Sequence, residues 1–243
     1  MLNHMKTIGI GVGVLGCMVL GILILNEVIQ DRSIYYFEQR NGYMIEQEDR
    51  NLHNFGGLYG RRIAIGCENI QISNADKKHL AVLKNRIFSL GLCNVRLKDL
   101  QFTFPQLSNL TIIDRKELSG IDQESLKRLI PPPKHVFISG QKVGEPPRFI
   151  SSEVMTLHLR HTDISDDIFC AIPNLSNLLV LELESNEIGD KVLFRIANEC
   201  SQVNECVIRG ENLPESGIAF LRHKIPNAQV SNGTTNEVQS NDE

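Results

Sequence analysis

Apolar positions recur two apart in three short segments of the C-terminal half. Leu157-His158-Leu159 is followed by Leu181-Glu182-Leu183 and then by Cys206-Val207-Ile208, at spacings of 24 and 25 residues. Side chains two apart on a strand share a face. Leu157 and Leu159 are therefore expected to point into a core, as are Leu181 and Leu183. His158, Arg160, Glu182, Glu184, Val207 and Arg209 are expected to point outward. In register, Arg160, Glu184 and Arg209 would form a row of alternating charge, either a cross-strand ion ladder or a contact surface. Glu182, outward and polar, is expected to carry little stability. After each segment an acidic residue (Asp166, Asp190, Glu215) precedes helix-like apolar spacing, which suits a helix start. Between strands, Ile172, Leu175 and Leu178 answer to Ile196, Cys200 and Val203.

This pattern, apolar-x-apolar followed by Thr162, Asn186 or Glu211, resembles the leucine-rich repeat in its longer, helix-containing form. The run from Leu193 to Ile208, with Cys200 and Cys206, is similar to the cysteine-containing, F-box-associated subtype. Only Asn186 fills the asparagine position of the family. The resemblance implies an α/β solenoid, with a parallel sheet on the concave side, helices on the convex side and a protein partner bound on the sheet. One repeat cannot bury its apolar face alone, but stacked repeats can. Earlier strands are expected at Leu110-Thr111-Ile112 and Val136-Phe137-Ile138, and before them at Ile70-Gln71-Ile72 and Val95-Arg96-Leu97. The repeat domain is drawn over 61–230, clearest over 157–230.

A different pattern fills the N-terminus. Residues 7–25, TIGIGVGVLGCMVLGILIL, hold no charge. As a helix they would cover about 28 Å, close to the apolar thickness of a bilayer. The run is long for a signal peptide and no A-x-A cleavage pattern follows it, so a single-pass transmembrane anchor is expected behind a short tail, 1–6. Gly9, Gly13, Cys17 and Gly21 fall four apart on one face. Such a face supports a homodimer through the membrane helix, although glycine is common in membrane helices for other reasons. Gly11 to Gly16 also matches GxGxxG. The helix that follows is apolar all round, and no strand ending in an acidic residue comes at the right distance, so a dinucleotide site is not expected. The few flanking charges leave orientation open, and the usual outcome for such an anchor puts the large domain on the exported side. Residues 26–60 read as a juxtamembrane helix or linker, and 231–243 as a polar, disordered tail.

Composition narrows the function classes. The net charge of −4 argues against a nucleic-acid partner. The six cysteines form no CxxC pair, and those outside the apolar run read as buried free thiols. His158 and His161, three apart on a strand, would face opposite ways and make no metal pair. No GxSxG, P-loop or kinase signature occurs. The expectation is a membrane-anchored recognition or scaffold protein with no catalytic residue, cofactor or metal. The alternative is an enzyme with an unrecognised active site on the solenoid.

Overall fold

The computed structural model describes residues 2–48, 62–69, 71–93, 95, 104–114, 132–140, 150–162 and 164–233. The molecule is mixed α/β. Helix α1 (Leu2–Glu38) leads to strands β1 (Tyr43–Glu48) and β2 (Arg62–Glu68) and helix α2 (Asn74–Leu83). Strands β3 (Ile87–Cys93), β4 (Asn109–Asp114), β5 (His135–Gly140) and β6 (Thr156–Arg160) follow. Helices α3 (Asp166–Cys170), α4 (Asp190–Glu199) and α5 (Glu215–Lys224) then alternate with β7 (Val180–Glu184), β8 (Glu205–Gly210) and β9 (Gln229–Asn232). Among the described residues, nine strands form one sheet in sequence order. The β1–β2 pair is antiparallel and every later neighbour is parallel.

Register explains the core. Ile65, Leu90, Leu110, Val136, Leu157, Leu181 and Cys206 lie side by side across seven strands. Cys67, Leu92, Ile112, Ile138, Leu159, Leu183 and Ile208 form the next row, and no member of either row is more than 3% exposed. Val192, Leu193 and Ile196 of α4 and Leu221 of α5 close over the same cluster. The outward residues of β4–β9 lie outside that cluster, so these helices cover one face of the sheet. Burying a side chain the size of leucine stabilises by roughly 1.5–3 kcal/mol, and two such rows make the sheet a continuous apolar seam.

The same local layout follows β2, β6, β7 and β8. Five positions after the second inward residue stands a buried apolar side chain: Ile72, Ile164, Ile188 or Leu213. The next residue is extended and precedes a helix: Ser73, Ser165, Gly189 or Pro214. Asp166, Asp190 and Glu215 are therefore the first helical residues and not the caps expected of them, and none of the three preceding residues makes a side-chain cap. The aspartates reach the following unit instead. Gly189 N donates to Asp166 Oδ1 at 2.6 Å, and Ser216 Oγ donates to Asp190 Oδ1 at 2.8 Å. A Cβ on Gly189 would run into the Asp166 carboxylate, so any larger residue there would have to displace the group that accepts from Gly189 N.

The early strands differ from expectation. They are β2 and β3, at 62–68 and 87–93, and not segments centred on Gln71 and Arg96. Ile72 and Val95 are buried just past the strands, so apolar anchors of the following loops resembled strand residues. Tyr43–Glu48, placed in the expected juxtamembrane helix or linker, is strand β1, reached through a turn in which Gly42 has φ 85°. Ser231 and Asn232, expected in the tail, belong to β9, and Leu213 N donates to Asn232 Oδ1 at 3.0 Å. Residues 234–243 lie outside the described residues.

Helix α1 docks by its C-terminal end. Met18, Ile22, Leu25 and Ile29 are exposed, whereas Ser33, Ile34 and Phe37 are buried. Asp76 is the hub of that contact. Its backbone N–H donates to Ser73 Oγ (3.2 Å), and its carboxylate accepts from Ser73 N (2.7 Å), which closes a capping box on α2. The carboxylate also accepts from Arg40 Nη1 at 2.7 Å and Tyr36 Oη at 2.9 Å. The Tyr36 ring stacks on His79, 3.9 Å between centroids. Among the described residues, no helix is long and apolar enough to cross a membrane. The side chains of residues 2–17, with the expected packing positions Gly9, Gly13 and Cys17, lie outside the described residues. Gly21 has open space where a Cβ would stand.

Candidate functional site

The face of the sheet turned away from the helices holds the polar residues picked out in the sequence, but not in the arrangement expected. Glu184 and Arg209 are register partners, yet both arginines reach diagonally to Glu182. Arg160 Nη2 donates to Glu182 Oε2 at 2.6 Å, and Arg209 Nη1 donates to Glu182 Oε1. His158, directly opposite on β6, has Nδ1 at 2.8 Å from Glu182 Oε2. The expected charge row across Arg160, Glu184 and Arg209 is thus a three-donor cluster on one carboxylate.

Glu182 is the correction that matters most. Its side chain is 7% exposed, while those of Arg160, Arg209 and His158 are 44%, 30% and 26% exposed. Burial pushes the carboxyl pKa up, but hydrogen bonds from Arg160, His158 and Arg209 outweigh it and hold the pKa down at about 2. The carboxylate is removed from water by its own partners, so its outward position does not make it energetically neutral. Val207 is also buried, between Glu182 and Gln229 in register, and offers little contact area.

Glu184 takes a different partner. His161 follows the end of β6 with φ 50°, which breaks the strand alternation, and its Nδ1 lies 3.0 Å from Glu184 Oε1. The two histidines therefore serve separate carboxylates on β7. Among the described residues no group of three His, Cys, Asp or Glu could hold a metal ion.

An open groove of about 680 Å³ lies beside this cluster, across β3 to β6. Its lining includes Asn109, Thr111, His135, Phe137, Thr156 and His158. Thr111, Phe137, His158 and Glu182 stand side by side in register, so the groove continues the row that contains the cluster. His135 Nδ1 and Thr156 Oγ1 are 3.0 Å apart. The Arg160 guanidinium sits over the Phe137 ring at 5.6 Å from its centroid, in cation–π range. Sequence reasoning did not reach Phe137, Thr111 or His135. The strands Val136-Phe137-Ile138 and Leu110-Thr111-Ile112 were correctly expected, and extending the outward row upstream from His158 would have reached both Phe137 and Thr111.

The chemistry available is donation and charge. His158 gives Nδ1 to Glu182, and the Thr156 hydroxyl pairs with His135. None of the five cysteines outside the apolar run is in a disulfide. Cys67, Cys200 and Cys206 are buried, and burial raises each thiol to about 12, where no thiolate forms near neutral pH. Cys170 is exposed and Cys93 half-buried, contrary to the reading of all five as buried. On the helix side, Arg195 was also unforeseen. It donates to Phe169 O at 2.6 Å and Ile172 O at 2.7 Å, and pairs with Glu199 at 2.9 Å, which ties α4 to the end of α3.

Comparison of the chain with family models, with curated proteins and with solved structures gives no match.

Proposed function

We propose that this chain is a membrane-anchored leucine-rich-repeat module that recognises a protein partner through the open face of its sheet. The observation that carries the proposal is the asymmetry of the sheet. Helices cover one side, and the other presents half-exposed cations around a buried carboxylate beside a groove. The spacing of 24 and 25 residues and the layout recurring after β2, β6, β7 and β8 support the repeat reading. A solenoid of this kind offers its sheet as an extended binding surface.

The anchor reading draws on the uncharged run 7–25, the continuous helix α1 and the exposed apolar side chains up to Ile29. In this proposal the domain lies on the exported side and Gly9, Gly13, Cys17 and Gly21 form the helix-packing face. The alternative, an enzyme on the same face, has one favourable observation in the His158–Glu182 pair. The groove is open and not enclosed, which favours binding.

A photoreactive amino acid placed at Gln229 on the open face, or at Phe194 on the helix face, tests the proposal in intact membranes. Both positions are exposed. Protein adducts are expected from Gln229 and not from Phe194, with the adduct retained in carbonate-washed membranes. Adducts from Phe194 alone would move the partner to the helices, and release by carbonate would remove the anchor.

A further inference from the structure

We propose that the groove over β3–β6 binds an extended acidic peptide segment of the partner, with an apolar side chain against Phe137 and a carboxylate at the wall formed by His158 and Arg160. This rests on the reading of the open face as the recognition surface. Three features of the groove carry the inference.

The first is shape. At the middle of β2 and β3 the outward positions are Ala64, Gly66, Ser89 and Gly91, all small, with Arg62 and Glu68 at the two ends of β2. On β5 and β6 they are Phe137, His158 and Arg160. Along the row Gly66, Gly91, Thr111, Phe137 the side chains grow strand by strand, and the groove lies on the rising part of that slope. Crossing four strands spans roughly 14 Å, which about four extended residues would fill. Such an open trough suits a strand-like segment better than a compact small molecule.

The second is charge. None of the described residues lining the groove is acidic. The neighbouring carboxylate, Glu182, already accepts from three side chains and is almost fully covered. Glu182 and Glu184 match Arg160 and Arg209 in number, but the carboxylates are 7% and 15% exposed and the arginines 44% and 30%, so it is the cations that face outward. Exposed His135 and Lys134 add donors at the other end of the same strands. Glu182 also fixes Arg160 in place, so a ligand carboxylate meets a cation whose ordering cost is already met by the fold.

The third is the polar furniture of a peptide site. Asn109, Thr111 and Thr156 bring side-chain donors and acceptors to the floor, while Phe137 supplies apolar surface next to them. Main-chain amides and one apolar side chain would find partners together.

A random-peptide display library panned on the full chain in lipid nanodiscs is the test, followed by anisotropy titration of the selected peptides. Selected sequences are expected to carry Asp or Glu close to an aromatic or aliphatic residue. Thr111→Glu should weaken them by about tenfold or more, while Thr111→Lys should leave affinity within about threefold or raise it. His135→Glu and His135→Lys repeat the contrast at an exposed position, where folding is not at stake. Selected peptides without acidic residues, or equal loss in the Glu and Lys variants, overturn the acidic assignment and leave the open face standing if Gln229 still cross-links. Peptide binding insensitive to all four variants removes the groove. Loss of open-face adducts as well removes both readings. A heparin fragment that binds with the same variant pattern, where no peptide is selected, overturns the peptide in favour of an acidic sugar.

Discussion

Asp76 and Glu182 are both carboxylates withdrawn from water, and both are held by arginine, yet they do opposite things to the surface around them. Asp76 sits on the helix side, fully buried, and its partners are Tyr36 of α1, Arg40 just past the end of α1 and Ser73 at the cap of α2. Burial raises its pKa, and the bonds from Ser73, Tyr36 and Arg40 more than reverse this, leaving it below the ordinary carboxylate value. The cluster closes on itself and joins two elements. Glu182 sits on the open side, and its partners come from strands on both flanks. They are half in solvent. One carboxylate locks a joint, and the other holds cations in display.

The comparison breaks first at Asp76. Asp76→Ala removes a helix cap, typically about 1 kcal/mol, and strips Tyr36 and Arg40 of their acceptor. A loss of about 3–4 kcal/mol in urea titration is expected, with new protease cleavage near Gln39–Gly42 as α1 comes free. A loss below about 1 kcal/mol would mean that α1 is held by its apolar contacts alone.

Glu182→Gln comes next and should be read against pH. The folded carboxyl sits at about 2, below its ordinary 4.5. Its contribution is therefore fully present above about 4.5 and lost as pH falls toward about 2. At pH near 7 the variant should lose roughly 2–3 kcal/mol. The gap between wild type and variant should close in acid. A gap that stays constant with pH would assign the effect to packing and not to charge.

The smallest effect is expected at Glu184→Gln. Its partner His161 is largely exposed, and such pairs contribute under about 1 kcal/mol. A larger loss would make Glu184 a second hub and erase the contrast with Glu182.

The strands β6 and β7 were legible because His158, Arg160, Glu182 and Glu184 alternate with inward leucines, and β8 because it recurs 25 residues further on. β2 and β3 were not, for a physical reason. Their central outward positions are alanine, serine and glycine, which give little inward-outward contrast, and the apolar residues Ile72 and Val95 just beyond them mimic a strand. β1 was hidden because its exposed Met44 is as apolar as its buried Tyr43, so the inward-outward alternation leaves no mark in the residue types. At the site, strand alternation correctly chose the face for His158, Arg160, Glu182 and Arg209. It could not see that long side chains lean to a diagonal neighbour. Arg160 passes over Glu184 for Glu182, so a residue read as a bystander is the centre. Phe137 was unseen because the outward row was followed only from β6 onward, although its strand was expected.

The way α1 meets the domain has a mechanical consequence. Leu25 closes the uncharged run and Ser33 is already packed against α2, about 12 Å along one unbroken helix. With the run held in a bilayer, the domain would have a stalk and no tether. A tether lets a domain tumble and sweep a hemisphere, whereas a stalk locked by Asp76 sets its heading. The groove would then meet partners from one bearing and at one height above the lipid, and the search for a match would reduce to sliding and turning in the plane.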